Sequence, residues 1–198
     1  MKKLALIFGL AALMCGQVNA DVLINEFHYD NSGADVGEFV EIAVLQGTTL
    51  SDINISLYNG SNGTAYASTT ADTLGAAFST GVAINSMLYD LFVWDPSSIQ
   101  NGDPDPDGIA VTSASGRSQF ISYEGTLTAV EGIVEGVLST DVGVSERGDT
   151  AIGSSISFID GDWVITETDT RGQANVVPEP SSLLVLSLVG LVATRRRR

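Results

Sequence analysis

"DVLINEFHYD" (Asp21–Asp30) decides how this chain is read. Leu23, Phe27 and Tyr29 occupy odd positions, which an extended strand turns to one face. Val22, Ile24, Glu26 and His28 then take the other. The same grammar runs outward from this stretch. In "GEFVEIAVL" (Gly37–Leu45), Val40 and Ile42 alternate against Glu41. "INISLYNG" (Ile53–Gly60) ends in Asn59-Gly60, a hairpin signal, and "TAYASTT" (Thr64–Thr70) is the expected return strand. "VAINSMLYDLFVWD" (Val82–Asp95) is the longest apolar stretch of the domain. "GIAVTS" (Gly108–Ser113) and "RSQFISYEG" (Arg117–Gly125) flank a turn at Ala114–Gly116. "SISFID" and "DWVITE" meet at Asp160-Gly161, a second hairpin signal. Short strands punctuated by Gly, Asn and Asp predict an all-β sandwich. Gly125–Gly153 has weak periodicity and predicts long loops with short edge pieces. Asp169–Pro180 loses the apolar pattern and reads as a linker.

The ends follow a different logic. Lys2 and Lys3 precede an apolar run, Leu4–Met14, and the small-residue exit Val18-Asn19-Ala20. That is a secretory signal over residues 1–20, with Ala20 and Asp21 flanking the cut. Cys15 lacks the small residue expected before a lipidated cysteine. It is the chain's only cysteine, so the mature domain over residues 21–175 forms no disulfide and depends on a packed core. At the other end, "VPEPSSLLVLSLVGLVATRRRR" (Val177–Arg198) sets Pro178, Glu179 and Pro180 before an apolar segment and Arg195, Arg196, Arg197 and Arg198. As a helix Leu183–Ala193 would be about 16 Å long, roughly half a hydrocarbon core. Residues 176–198 are therefore expected to form a short hydrophobic helix that holds the membrane only transiently, its arginines on the cytoplasmic side; a stable anchor, which would need a thinned bilayer, is the other reading.

Charge is segregated as well. The whole chain carries a formal −15, but six of its nine basic residues lie in the two terminal segments. Between residues 21 and 177, 23 acids face only Arg117, Arg147 and Arg171, a balance of −20. Such a surface repels phosphate backbones, so direct nucleic-acid binding is not expected.

The tail resembles the PEP-CTERM sorting signal in all three of its parts. That resemblance implies an exported protein of a Gram-negative bacterium, handled by signal peptidase and an exosortase-type processing enzyme. It implies a transient inner-membrane precursor and a final place at the cell surface or outside the cell. The domain resembles the bacterial lamin-tail-like domain in "VLINEFHYDNSGADVGEFVEIA", "NGDPDPDGIAV", "QFISYEGTLTAVEG", "STDVGVSERG" and "TRGQAN". This second resemblance implies an immunoglobulin-like β-sandwich with no catalytic residues of its own. Domains of that kind often accompany secreted nucleases or phosphoesterases. "DPDPDG" departs from the shorter Pro-Asp-Gly turn of related sequences.

Asp103, Asp105 and Asp107, ending in Gly108, match the opening of a calcium loop, because alternate carboxylates and a glycine turn gather hard oxygens. Against this, the twelfth position is Ala114 and the following residues read as strand. The other reading is an acidic turn shaped by proline. No other cofactor is expected. His28, the only histidine, is flanked by Glu26 and Asp30 at i±2, which suits either a divalent site or an ordinary strand histidine. Glu38 and Glu41 fall on opposite strand faces and cannot act as a carboxylate pair by themselves. Tyr58, Tyr66, Tyr89, Tyr123, Trp94 and Trp163 suit either core packing or a glycan-binding face. The expectation is a non-catalytic surface module for extracellular polysaccharide or a surface protein. An accessory to a secreted nuclease and a calcium-dependent adhesin are the alternatives.

Overall fold

The computed structural model describes residues 20–175. The expected signal segment up to Asn19 and the tail residues Pro178, Glu179, Pro180 and Arg195–Arg198 lie outside that range. Among the described residues no helix is long and apolar enough to cross a membrane.

Among the described residues eleven strands form two facing sheets. The first sheet contains β1 (Val22–His28), β2 (Phe39–Leu45), β5 (Ser79–Ile84), β6 (Met87–Trp94), β10 (Ser155–Ile159) and β11 (Asp162–Thr166), in the order β11-β10-β1-β2-β6-β5. The second contains β3 (Asn54–Asn59), β4 (Thr64–Thr70), β7 (Asp107–Thr112), β8 (Ser118–Tyr123) and the two-residue β9 (Thr140–Asp141), in the order β4-β3-β7-β8-β9. All pairings are antiparallel except β8 with β9. The described chain is an all-β sandwich, as the strand pattern predicts.

The inner faces meet in a core that includes Ile24, Phe27, Tyr29, Val40, Ile42, Ile55, Leu57, Ile109, Val111 and Ile156. Phe27, Tyr29 and Tyr123 stack at one end, with Trp163 edge-on to Phe27. The loop between β8 and β9 lies over the outer face of the second sheet. There Leu127, Ala129 and Val134 cover Tyr58, Ala110 and Phe120.

Three local readings change. First, β1 does not keep one phase. A bulge at Asn25 shifts the register so that Ile24 pairs with Ile42 and Glu26 with Glu41. Val22 and Ile24 therefore face the core together with Phe27 and Tyr29, while Leu23 turns outward against Ala43, Tyr89 and Leu91. One extra residue transfers the alternation to the other parity. Second, the long apolar stretch Val82–Asp95 is a hairpin. Asn85 and Ser86 both take positive φ (48° and 67°) and join Ile84 to Met87. Third, Asn59-Gly60 does not close a two-residue turn, since β4 restarts only at Thr64. Gly60 is required for another reason: a Cβ there would lie 1.5 Å from the Pro106 carbonyl oxygen. Asp160-Gly161 behaves as expected, with φ of 53° and 98° between β10 and β11.

Candidate functional site

Two buried polar clusters grow from β1 and β2. The first surrounds His28, which is 2% exposed at the end of β1. Its Nδ1 lies 2.8 Å from Glu146 Oε1, 118 residues away in sequence. Its Nε2 lies 2.8 Å from the Asn31 amide nitrogen, which also donates to the Val36 carbonyl. Both ring nitrogens are thus occupied by non-nucleophilic groups, and Glu26 and Asp30 are not its partners. Glu146 Oε2 accepts from the backbone amides of Tyr29 and Asp30. Tyr29 Oη in turn accepts from the Glu146 amide at 2.7 Å. Burial acts to lower the His28 pKa, but the Glu146 carboxylate, with the Val36 carbonyl and the Glu38 charge, turns the net shift upward. Beside this cluster an open acidic cavity is lined by Asp30, Asn101, Asp103, Glu124, Glu146, Arg147 and Gly148.

The aspartate turn adjoins this cavity. Asp103 and Asp105 are exposed, whereas Asp107 is buried. The two Asp107 oxygens accept from the Gly60 and Gly102 amides, each at 2.9 Å. Burial raises its pKa, and those two amides oppose the shift. Asp107 therefore clamps two loops. Among the described residues no group of three or more His, Cys, Asp or Glu side chains is gathered to hold a metal ion. Asp21 is held by Ser113 and Ser115, whose hydroxyls lower its pKa. The Ala20 carbonyl accepts from Tyr89 Oη.

The second cluster lies on the outer face of the six-stranded sheet, where the bulge sets Glu26 directly opposite Glu41. Both are 0% exposed. Glu26 accepts from Ser155 Oγ, from the Thr170 amide at 2.8 Å and from Thr170 Oγ1 at 2.7 Å. Glu41 accepts from Asn25 Nδ2 at 2.7 Å and from the Gly172 amide. Burial pushes the Glu41 carboxyl up to about 7, with the Glu26 charge acting in the same direction. The donors show that Asp169–Asn175 is no linker. It is a strap bound across the sheet, polar because the surface beneath it is polar. Asn175 Nδ2 donates to the Asn25 and Phe158 carbonyls. Arg171 pairs with Asp169 at 3.0 Å and stacks over Phe39 at 4.3 Å.

Glu38 accepts from the Ile99 amide, away from Glu41. Tyr58, Tyr89 and Tyr123 are buried, and Tyr66, Trp94 and Trp163 are half-buried against the core, so core packing accounts for most of their surface. Comparison of the chain with protein-family models, with curated proteins and with solved structures returns no match.

Proposed function

We propose that this is an exported, exosortase-sorted protein whose sandwich is a lamin-tail-like, immunoglobulin-like interaction module acting without catalysis at the cell surface or in the extracellular matrix. The observation that carries the reading is the tail sequence: Val177–Pro180, then the apolar Leu183–Ala193, then Arg195–Arg198, at the opposite end from a basic, apolar start. An acidic domain deficient in lysine and arginine supports it, because such a domain is repelled by anionic membranes and does not settle back on them. The non-catalytic part is supported by how the polar side chains are spent. His28 and Glu146 are bonded to each other and to amides, and Asp107 is bonded to the Gly60 and Gly102 amides. The polysaccharide or surface protein it would engage has to be found by binding assay. Mass spectrometry of the exported chain tests the sorting reading. A new C-terminus near Pro180 is expected, and an exported form that retains all four arginines would overturn it.

Calcium-dependent adhesion is the second reading, favoured by Asp103 sharing the acidic cavity with Asp30 and Glu124. A rise in melting temperature at millimolar calcium is its expected signature, and an unchanged midpoint would end it.

A further inference from the structure

We propose that Thr170–Asn175 is a proton-dependent clasp, held shut over the six-stranded sheet when the buried Glu26–Glu41 pair carries a proton and released when both carboxylates are charged. This inference does not depend on the sorting reading.

The hydrogen count at the strap argues for the proton. Thr170 Oγ1 lies 2.7 Å from Glu26 Oε2 and 2.8 Å from Asn175 Oδ1, and both are acceptors. The Asn175 amide cannot be turned round, because its nitrogen already serves the Asn25 and Phe158 carbonyls. A hydroxyl has one hydrogen and cannot supply two acceptors in different directions. A proton on Glu26 donated to Thr170 Oγ1, which then donates to Asn175, satisfies the whole chain.

Charge balance leads to the same place. Residues directly opposite on antiparallel strands have their Cβ atoms about 4.5–5.5 Å apart, and like charges there destabilise the pair. Both carboxylates are fully buried. The strap's one charged side chain, Arg171, acts on both carboxylates but is itself bonded to Asp169 and within the field of Asp95, just past the end of β6. β10 contributes no charged side chain to this face, only the hydroxyls of Ser155 and Ser157 as polar groups. A second negative charge would thus be poorly compensated until the strap lifts and admits water. Burial and the Glu26 charge both raise the Glu41 carboxyl, in keeping with a site that resists a second charge.

The strap contacts that oppose release are the Thr170 and Gly172 amides on the pair and Ser79 Oγ on the Gly172 carbonyl. Gly172 sits at φ 75°, and a Cβ there would meet the Phe78 ring at 2.0 Å, so the strap closes tightly only with glycine.

Hydrogen exchange of the full-length chain from pH 5 to 8, corrected for intrinsic rates, tests the clasp. Protection of the Thr170 and Gly172 amides is expected to fall about tenfold per pH unit up to neutrality, about 100-fold in all. At every pH it should lie below that of Ile42 in the core. Glu41→Gln and Glu26→Gln should flatten the pH dependence. Strap protection that does not change with pH, or that equals core protection throughout, would overturn the proposal. The unmodified chain decides this even if a variant fails to fold.

Discussion

Removing the Glu146 side chain is expected to cost a large part of the fold's stability. The carboxylate accepts from three donors: His28 Nδ1 at 2.8 Å, the Tyr29 amide at 2.7 Å and the Asp30 amide at 3.2 Å. His28 and Tyr29 are buried, so Glu146→Ala orphans two buried donors at about 1–3 kcal/mol each. Asp30 is partly exposed and lines the cavity, so water can take over its amide. The expected loss is about 4 kcal/mol, against a total of about 5–15 kcal/mol for an ordinary domain. Glu146→Gln keeps the shape but turns an amide group toward one donor, so about half that loss is expected. Urea unfolding followed by tryptophan fluorescence measures both. A loss under about 1 kcal/mol for Glu146→Ala would show that the tie between β1 and the distant loop carries little load.

Gly60→Ala should destabilise by about 1–3 kcal/mol, since its Cβ would overlap the Pro106 carbonyl, a backbone atom that cannot swing away. A melting temperature equal to that of the unmodified chain would contradict the close approach. Asp107→Asn leaves one of the Gly60 and Gly102 amides facing an NH₂ group, with about 1–3 kcal/mol lost on thermal unfolding. Stability should also fall as pH rises. Glu41 has a folded pKa of about 7 against an ordinary 4.5, so its contribution is full below about 4.5 and lost as pH passes 7, about 3 kcal/mol in all. The upward shift of His28 acts with the same sign, present below 6.5 and lost above its folded pKa. Denaturant midpoints at pH 5 and pH 8 check this, and a higher midpoint at pH 8 would refute it.

The sheet pairing that alternation and turn chemistry can encode was legible in the sequence. Asp160-Gly161 shows why: two residues that tolerate positive φ close a hairpin by local physics alone. Asn85-Ser86 does the same work without glycine and was hidden inside an apolar run. The bulge at Asn25 was hidden for a different reason. A bulge is a relation between two strands, and β1 alone gives no sign that β2 will oppose two of its residues with one. The Glu26–Glu41 cluster depends on that relation. Without the bulge, Glu26 and Glu41 would not share a rung, and the parity that set Leu23 on one face with Phe27 and Tyr29 would have held. Glu146 was equally invisible beside His28, because 118 residues separate them and neither lies in a local motif. The polar composition of Asp169–Asn175 reads as solvated linker unless a buried polar surface is known to lie beneath it.

The two carboxylate clusters share a construction that bears on the role of the domain. Each fixes a segment far away in sequence to β1, and each does so through backbone amides: Glu146 toward Tyr29 and Asp30, Glu26 and Glu41 toward Thr170 and Gly172. With three basic residues between 21 and 177, the domain has few cations to neutralise buried acids. Amides and hydroxyls take their place. A carboxylate held by neutral donors gains most when its donors come from the backbone, whose orientation is set by the fold and costs no side-chain entropy. The same choice leaves the charge uncompensated, which is why ionisation, and not hydrogen bonding, limits the strap. An acidic sandwich built in this way carries proton sensitivity at the point where the folded domain hands over to its tail.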